Sequence, residues 1–122
     1  MLMENLKVDF EYEDERGTLT QLVRRGYSQI NVVTTKKGVV RGGHYHKMNT
    51  EAFFLVSGSC RVSVSKDDIT EVATYHAGDF FRIGPYVMHD FEYLEDTVMV
   101  TMYSLGAELD DRTMDMYTME NE

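Results

Sequence analysis

The feature that most constrains the fold is a series of short segments rich in β-branched and aromatic residues, separated by glycines or polar turns. The segments cover residues 8–12, 29–35, 51–56, 60–65, 71–75, 80–83 and 97–104. Strands that recur at intervals of about 8 to 12 residues are typical of a β-sandwich or barrel. We therefore predict an all-β fold, in which residues 110–119 form the one short helix.

The length and composition of the chain predict a single domain that occupies residues 1–122. No apolar run approaches the roughly 20 residues of a membrane helix, and the first residues lack the pattern of a signal peptide. Cys60 is the single cysteine, so no disulfide can form within the chain. This usage is typical of a reducing compartment, and we expect a cytoplasmic protein without a membrane partner.

Residues 38–58 hold the most informative pattern, because His44 and His46 are two positions apart and Glu51 follows five positions later. Side chains two positions apart on a strand point to the same face, so both imidazoles would face one side of a sheet. His89 lies further along the chain and needs a separate strand to reach the same interior. Imidazole and carboxylate together suit a divalent transition metal, which makes these four residues a candidate metal-ligand set.

Two other interpretations of the histidines remain open. Histidine has an unperturbed pKa near neutrality, so His44 and His46 are also candidates for moving protons. A histidine that binds a metal has lost its free basic nitrogen, so the same residue cannot easily do both. The third interpretation is that the histidines line the polar mouth of a barrel without a chemical role.

The formal net charge of -9 argues against nucleic acid as a partner. The charge is unevenly distributed, because residues 16–47 contain no Asp or Glu. A basic stretch in an acidic protein predicts a site for a phosphate-bearing small molecule. The alternative is a solvated strand edge protected by lysines. The basic residues of this stretch are Arg16, Arg24, Arg25, Lys36, Lys37, Arg41 and Lys47.

The regions around the histidines resemble the two motifs of the cupin superfamily. The spacing Gly-x5-His-x-His-x4-Glu-x6-Gly over residues 38–58 matches the first cupin motif at every position. Residues 78–93, which contain Pro85 and His89, resemble the second motif, although Tyr93 stands where an Asn is usual. The resemblance extends from about residue 30 to residue 104. It implies a jelly-roll barrel with its ligand inside, and often a dimer.

Three further segments are similar to the sugar-nucleotide 3,4-ketoisomerases, cupins that act on dTDP-4-keto-6-deoxyglucose in bacterial glycan biosynthesis. Residues 14–19 read Asp-Glu-Arg-Gly-Thr-Leu, residues 41–47 read Arg-Gly-Gly-His-Tyr-His-Lys, and residues 58–62 read Gly-Ser-Cys-Arg-Val. Related 3,5-epimerases share the Arg-Gly-x-His element and a 4-keto nucleotide-sugar substrate. The resemblance implies an isomerase or epimerase that acts on a nucleotide-linked 4-keto-6-deoxy sugar by removing a proton next to the ketone.

The chain departs from the ketoisomerases at two candidate ligands. Glu51 stands where those enzymes carry Gln, and Val87-Met88-His89 stands where they carry a tryptophan just before a site residue. Glu51 and His89 together restore the metal set that the ketoisomerases lack. The histidine motif is also similar to the metal-binding cupin domain of a bifunctional capsule-sugar enzyme that epimerises a UDP-4-keto sugar.

The ketoisomerase resemblance implies a metal-free mechanism. His44 and His46 would shuttle protons between C3 and C4 of the sugar, and Tyr45 or Tyr86 would donate a proton. The nucleotide diphosphate would be held by three basic residues, Arg16, Arg41 and Lys47.

The complete cupin ligand set implies a second mechanism, in which a metal polarises the ketone as a Lewis acid. The metal would be Zn, Mn, Fe or Ni, and no organic cofactor is implied. Two other classes of function stay open: a metal-dependent oxygenase and a non-catalytic metal- or sugar-binding cupin. A homodimer is expected, with residues 7–12 as a candidate strand that pairs between subunits. The metal ligands would be His44, His46, Glu51 and His89.

Overall fold

The computed structural model describes residues 1–109 and 113–118, and this part of the chain contains β-strands and no helix. The all-β prediction is confirmed. Within these residues there is accordingly no helix long and apolar enough to cross a membrane. The strands are β1 (Met3–Asn5), β2 (Phe10–Asp14), β3 (Gly17–Gln21), β4 (Gln29–Thr35), β5 (Val40–His44), β6 (Glu51–Ser57), β7 (Ser59–Lys66), β8 (Ile69–His76), β9 (Phe80–Ile83), β10 (Met88–Tyr93) and β11 (Thr97–Tyr103).

Two antiparallel sheets form the body of the fold. One has the strand order β1-β9-β6-β11-β4, the other has the order β5-β10-β7-β8, and β2 pairs with β3 in a separate hairpin. Strands β4 and β5 follow each other in the chain but form edges of different sheets. The chain therefore crosses from one sheet to the other at residues 36–39, and the gap between these two edges gives access to the interior.

The inner faces of the two sheets meet in an apolar core. Strand β10 shows how the sequence produces it, because His89, Phe91 and Tyr93 are buried whereas Asp90 and Glu92 between them are exposed. Successive side chains of a strand point to opposite faces of the sheet, which explains this alternation. The core cluster consists of Met3, Phe53, Leu55, Cys60, Val62, Val64, Tyr75, Phe81, Ile83, Val87, Phe91, Tyr93 and Met99.

Stacked aromatic rings join the sheets across this core. Tyr75 on β8 stacks on Phe81 on β9, with ring centroids 3.8 Å apart. Phe53 on β6 contacts Phe91 on β10 at 4.8 Å. Because each pair takes one ring from each sheet, these contacts hold the two layers together and give the interior rigid walls.

The predicted strands agree with the structure within two residues at each end, and 29–35 and 80–83 agree without a shift. Four strands were not predicted: β1, β3, β5 and β10. Strand β1 has three residues, β3 begins with Gly17, β5 contains Gly42-Gly43, and β10 carries acidic residues at alternate positions. Their weak β-propensity is overridden by pairing with stronger neighbours. Of the predicted helix at 110–119, residues 113–118 form isolated bridges instead, through Met114 and Tyr117, and the rest lies outside the described residues.

Gly42 in the histidine motif allows β5 to approach β10 closely. Its φ is +124°, and a Cβ atom there would lie 2.5 Å from the carbonyl oxygen of His89 and 2.8 Å from Cα of Asp90. The approach lies beside a register shift between His89 and Asp90 where the two strands pair. Gly42 therefore lets the edge strand sit where His44 lies opposite His89.

We expect Phe81→Ala to lower the free energy of unfolding by about 3–5 kcal/mol, because truncating a fully buried ring leaves a cavity between the sheets. Phe81 is 0% exposed, whereas Val72 on β8 is 59% exposed. Val72→Ala is the matched control and should change the free energy of unfolding by no more than about 0.5 kcal/mol. Chemical denaturation followed by circular dichroism measures both, and similar small losses would contradict this placement of the core.

Candidate functional site

The structure brings the four candidate metal ligands together inside the barrel. His44 is the last residue of β5, Glu51 is the first residue of β6, and His89 is the second residue of β10. One potential ligand atom from each residue can be chosen such that all four lie within 4.8 Å of one another. His46 does not share a strand with His44, as the two-residue spacing had suggested, but lies in the connection after β5.

Glu51 is buried between two of the imidazoles, with 5% of its surface exposed. Its Oε1 atom is 3.0 Å from Nε2 of His46 and 3.7 Å from Nε2 of His89. The hydroxyl of Tyr103 also hydrogen-bonds to this carboxylate. A buried carboxylate is strongly unfavourable unless opposite charge or hydrogen-bond donors surround it, so the donors His46 and Tyr103 are needed for its burial.

His89 is held as a neutral ring that presents a lone pair. Its burial, followed by the charge of nearby His44, lowers the pKa of His89 to about 3. Nδ1 lies 3.1 Å from the carbonyl oxygen of Val87, an acceptor only, so Nδ1 carries the proton and donates it. The lone pair is therefore on Nε2, the atom that faces Glu51. Two electron-pair donors, Nε2 of His89 and the carboxylate of Glu51, therefore lie close together.

The pKa values of the other two histidines are shifted in opposite directions. Burial by itself lowers the pKa of His46, but its hydrogen bonds to Glu51 and to the carbonyl of Asp115 outweigh burial and raise this pKa. Burial and the neighbouring His46 lower the pKa of His44. His44 is half-buried and is therefore a neutral imidazole at physiological pH, with access to the cavity.

A cavity of about 170 Å³ opens beside this cluster. Its walls are mainly apolar and aromatic, and Arg41 supplies a positive charge. The Arg41 Nε donates to Thr35 Oγ1 at 2.8 Å, which ties the strand edges of the two sheets together. The lining residues are Asn31, Val33, Arg41, Gly42, His44, Glu51, Phe53, His89, Phe91, Tyr93, Met99, Thr101 and Tyr103.

Two tyrosines of this lining are candidate proton donors. Burial raises the pKa of Tyr93 to about 12. Burial, together with Glu51, also raises the pKa of Tyr103. Both hydroxyls therefore keep their protons at neutral pH and can donate hydrogen bonds into the cavity.

Five residues predicted for the site lie outside the lining of this cavity: Tyr45, Tyr86, Arg16, Lys47 and His46, of which His46 joins the cluster through its contact with Glu51. Tyr45 is buried and its ring stacks on Tyr86 at 6.3 Å, outside the cavity wall. Arg16 lies in the β2–β3 turn, where its exposed guanidinium pairs with Asp14 at 2.6 Å. Lys47 Nζ lies 4.2 Å from the ring centroid of Tyr117.

Asp115 and the lining tyrosines were not predicted as part of the site. Asp115 contacts residues 66 to 69 positions earlier in the chain, and no local pattern indicates such a contact. Alternation along β11 places Tyr103 on the inner face with Thr101 and Met99. Tyr93 was noted for replacing a motif residue, without a role.

The chemistry and geometry of the four candidate ligands fit a divalent transition metal. Zinc-like sites use imidazole nitrogens and carboxylate oxygens about 2.0–2.2 Å from the metal, which places ligand atoms about 3–4 Å apart. In His46 and His89 the Nδ1 atoms contact backbone carbonyls, and both Nε2 atoms face Glu51. Such outer contacts are typical of histidines that bind metals through the other nitrogen.

Residues 12–117 match the family model described as the polysaccharide biosynthesis C-terminal domain. The chain is 28% identical over 111 residues to a UDP-2-acetamido-2,6-beta-L-arabino-hexul-4-ose reductase of Pseudomonas aeruginosa. The match covers 87% of this chain and 30% of that protein, so the chain spans less than a third of this relative.

Solved structures with the same fold include two enzymes of sugar-nucleotide metabolism. The sugar 3,4-ketoisomerase QdtA from Thermoanaerobacterium thermosaccharolyticum, in complex with TDP, superimposes with a TM-score of 0.73 at 20% identity. That match covers 94% of this chain and 85% of QdtA. The dTDP-4-dehydrorhamnose 3,5-epimerase from Sulfolobus tokodaii gives a TM-score of 0.65 at 20% identity, covering 84% of this chain and 75% of the epimerase.

The predicted cupin-type jelly-roll fold is confirmed by these superpositions. The family match extends from β2 to the bridge at Tyr117, and therefore includes all four candidate ligands and the cavity beside them. This chain belongs to the polysaccharide biosynthesis C-terminal domain family.

Proposed function

We propose that this protein is an isomerase or epimerase that acts on a nucleotide-linked 4-keto-6-deoxy sugar in bacterial glycan biosynthesis. The observation that carries the proposal is the cluster of His44, His46, Glu51 and His89 beside a cavity, in a chain of a polysaccharide-biosynthesis family. The names of its relatives describe 4-keto and TDP-linked sugars, which supports this class of substrate.

The volume of the cavity suits one part of such a substrate. A volume of about 170 Å³ is below the roughly 300–1,000 Å³ of pockets that enclose drug-sized ligands. We assign the cavity to the sugar ring and place the nucleotide outside its mouth. Arg41 lines the cavity and is the residue we assign to the diphosphate. Arg16 and Lys47 lie away from it, so their predicted phosphate contacts stay predictions.

His44 is the residue we assign as the base. A carbon next to a ketone loses its proton because the resulting negative charge spreads onto the oxygen as an enolate, and a nearby neutral imidazole can accept that proton. His44 has this neutral form at physiological pH, since burial lowers its pKa. His46 has a raised pKa and is bonded to Glu51, so it is the better residue to return a proton.

Hydrogen-bond donors in the cavity would stabilise the enolate oxygen. The hydroxyl of Tyr93 stays protonated and lines the cavity, so we assign this role to it in place of Tyr45 and Tyr86. Tyr103 also lines the cavity, but its proton is donated to Glu51. Donors aimed at developing negative charge are worth most where water is excluded. The aromatic walls of Phe53 and Phe91 supply that exclusion.

We also propose that the four-residue cluster holds a divalent transition metal. His46, Glu51 and His89 are the most deeply buried members, and His44 completes the set from the open side. When bound, the metal supplies Lewis acidity that polarises the ketone. With His44 as a ligand, the base would have to be another residue, so metal content decides between the two assignments of His44.

The cytoplasm remains the predicted location of the protein.

We expect His44→Asn to reduce solvent exchange at C3 of a dTDP- or UDP-4-keto-6-deoxyhexose by about 10²- to 10⁴-fold, because the base is removed. The measurement is deuterium incorporation in D₂O, followed by mass spectrometry or proton NMR. His76→Asn is the matched control, since His76 is exposed at the end of β8 and should leave exchange unchanged. Absence of exchange with the unmodified protein would contradict the proposed reaction, and would favour an oxygenase or a non-catalytic binder.

We expect protein purified without added metal to contain about one equivalent of a transition metal, as measured by elemental analysis. Glu51→Gln and His89→Ala should each lower that content strongly, because a four-ligand site loses one of its donors. His76→Ala again serves as the control and should keep the metal content of the unmodified protein. A metal-free wild-type protein that also binds no added Zn²⁺ would contradict the metal assignment and leave His44 as the base.

We propose a homodimer built on the hairpin and the free edge of β4. Phe10, Tyr12 and Leu19 on the β2–β3 hairpin are each about half exposed, and Ile30 and Val32 on β4 are 60% and 71% exposed. Exposed apolar side chains concentrated on a few elements often mark a protein interface, and these two elements follow each other in the chain. Strand β4 also has an unpaired edge among the described strands, and a partner strand could pair with it.

We expect Val32→Glu to convert the dimer into a monomer, because a carboxylate would be buried in the interface without a partner. Analytical ultracentrifugation measures the molecular mass in solution. Val72→Glu introduces the same charge at an exposed valine of the other sheet and should leave the dimer intact. A dimer that survives Val32→Glu unchanged would place the interface elsewhere.

A further inference from the structure

A C-terminal segment, residues 113–118, packs against the connection that carries His46. Asp115 lies in this segment and is fully buried, with 0% of its surface exposed. Its carboxylate accepts the backbone N–H groups of Lys47, Met48 and Asn49 at 2.8–2.9 Å. Burial by itself raises the pKa of Asp115, but the hydrogen bonds from the Asn49 side chain and from these backbone N–H groups outweigh burial and lower this pKa, so the side chain is a carboxylate.

The side chain of Asn49 extends this contact to a third part of the chain. Its Nδ2 donates to the Asp115 carboxylate at 2.7 Å and to the carbonyl of Gly106 at 2.8 Å. Its Oδ1 accepts the N–H groups of Leu105 and Gly106 at 2.8 and 2.9 Å. Asn49 is 0% exposed, so the C-terminal segment is fastened to the His46 connection and to the chain after β11 by one buried network.

The same residue reaches His46 through its main chain. The carbonyl oxygen of Asp115 lies 2.6 Å from His46 Nδ1. Two backbone hydrogen bonds between Tyr45 and Tyr117, at 2.9 and 3.0 Å, align the two segments next to this contact. A carbonyl oxygen accepts and cannot donate, so Nδ1 of His46 carries a proton. Nε2 faces the Glu51 carboxylate and donates to it when the ring carries both protons.

We propose that Asp115 is a positioning residue that sets the tautomer and direction of His46, although it does not itself reach the cavity. Its carboxylate docks the C-terminal segment onto residues 47–49, and its carbonyl then holds the proton on Nδ1. Nε2 is thereby directed at Glu51, where it can receive a proton or bind a metal. The importance of this positioning for activity rests on the proposed function, but the tautomer itself does not.

Without the docked segment, Nδ1 of His46 would lose its acceptor, and the Glu51 carboxylate would draw the proton of the neutral ring to Nε2. The hydrogen bond made by one ring nitrogen selects the protonation state of the other. Loss of the contact between the Asp115 carbonyl and Nδ1 would therefore change the preferred tautomer and leave the ring orientation less constrained. Outer-shell partners of this kind change metal affinity by about 10- to 100-fold when they are removed. An effect of that size would identify a role beyond folding.

The test is the side-chain ¹⁵N–¹H spectrum of the metal-free, full-length protein at a pH where His46 is neutral. We expect wild-type His46 to carry its proton on Nδ1, and Asp115→Ala to shift it to Nε2 or to a mixture. Asp79→Ala is the matched control, because Asp79 also accepts a backbone N–H, that of His76 at 2.8 Å, in a turn remote from the cavity. This control should leave the His46 tautomer unchanged.

The second measurement is the affinity for Zn²⁺ alone by calorimetry, with cooperative thermal unfolding as the check that each variant is folded. We expect Asp115→Ala to weaken Zn²⁺ binding by about 10- to 100-fold and Asp79→Ala to leave it unchanged. Weaker binding in both variants, or an unchanged His46 tautomer in folded Asp115→Ala, would overturn the proposal.

Two outcomes keep this proposal separate from the proposed function. If Asp115→Ala does not fold, the wild-type spectrum still decides, because a proton on His46 Nε2 alone would overturn the assignment. If the wild-type protein neither binds Zn²⁺ nor exchanges deuterium into the sugar, the proposed function fails. A tautomer that changes in Asp115→Ala and not in Asp79→Ala would then still support the positioning role.

Discussion

The buried carboxylate of Glu51 is the constraint on which the site depends. A negative charge at 5% exposure inside a mostly apolar barrel is unfavourable unless donors surround it. His46 and Tyr103 supply those donors, and neutral His89 completes the group with a lone pair facing the same point. A positive charge at the centre of the cluster would therefore stabilise the buried carboxylate further. A proton on His46 or a bound cation can supply this charge, which is why both proton transfer and metal binding fit the same residues.

The sheet topology places this charge where a substrate can reach it. Strands β4 and β5 are edges of different sheets, and Arg41 bridges them through Thr35. The cavity between these edges has a positive residue in its wall and the histidine–glutamate cluster beside it. The substrate of the proposed function, a sugar with an anionic nucleotide diphosphate on one side and a ketone on the other, matches this polarity. The proposed function depends on the cavity that lies between these two strand edges.

Much of the fold and the ligand set could be predicted because both depend on short-range patterns. Segments 29–35 and 80–83 have strong β-propensity and were predicted with the observed bounds. Strands β5 and β10 escaped prediction because glycines and acidic residues lower their propensity, and their pairing with each other and with β7 decides their structure. The spacing of His44, His46 and Glu51 predicted a shared site, although the geometric reason was different: a connection, not one strand, carries His46.

The sequence by itself determined the all-β class, the candidate ligands and the basic character of residues 16–47, since these depend on composition and spacing along the chain. Only the tertiary structure decided which of the candidate basic and tyrosine residues face the cavity. Arg41 lines the cavity, whereas Arg16 and Lys47 do not. Tyr93 and Tyr103 line it, whereas Tyr45 and Tyr86 do not. Asp115 contacts His46 through its carbonyl oxygen. These outcomes depend on pleat direction and on contacts between residues up to 69 positions apart, which no local pattern encodes.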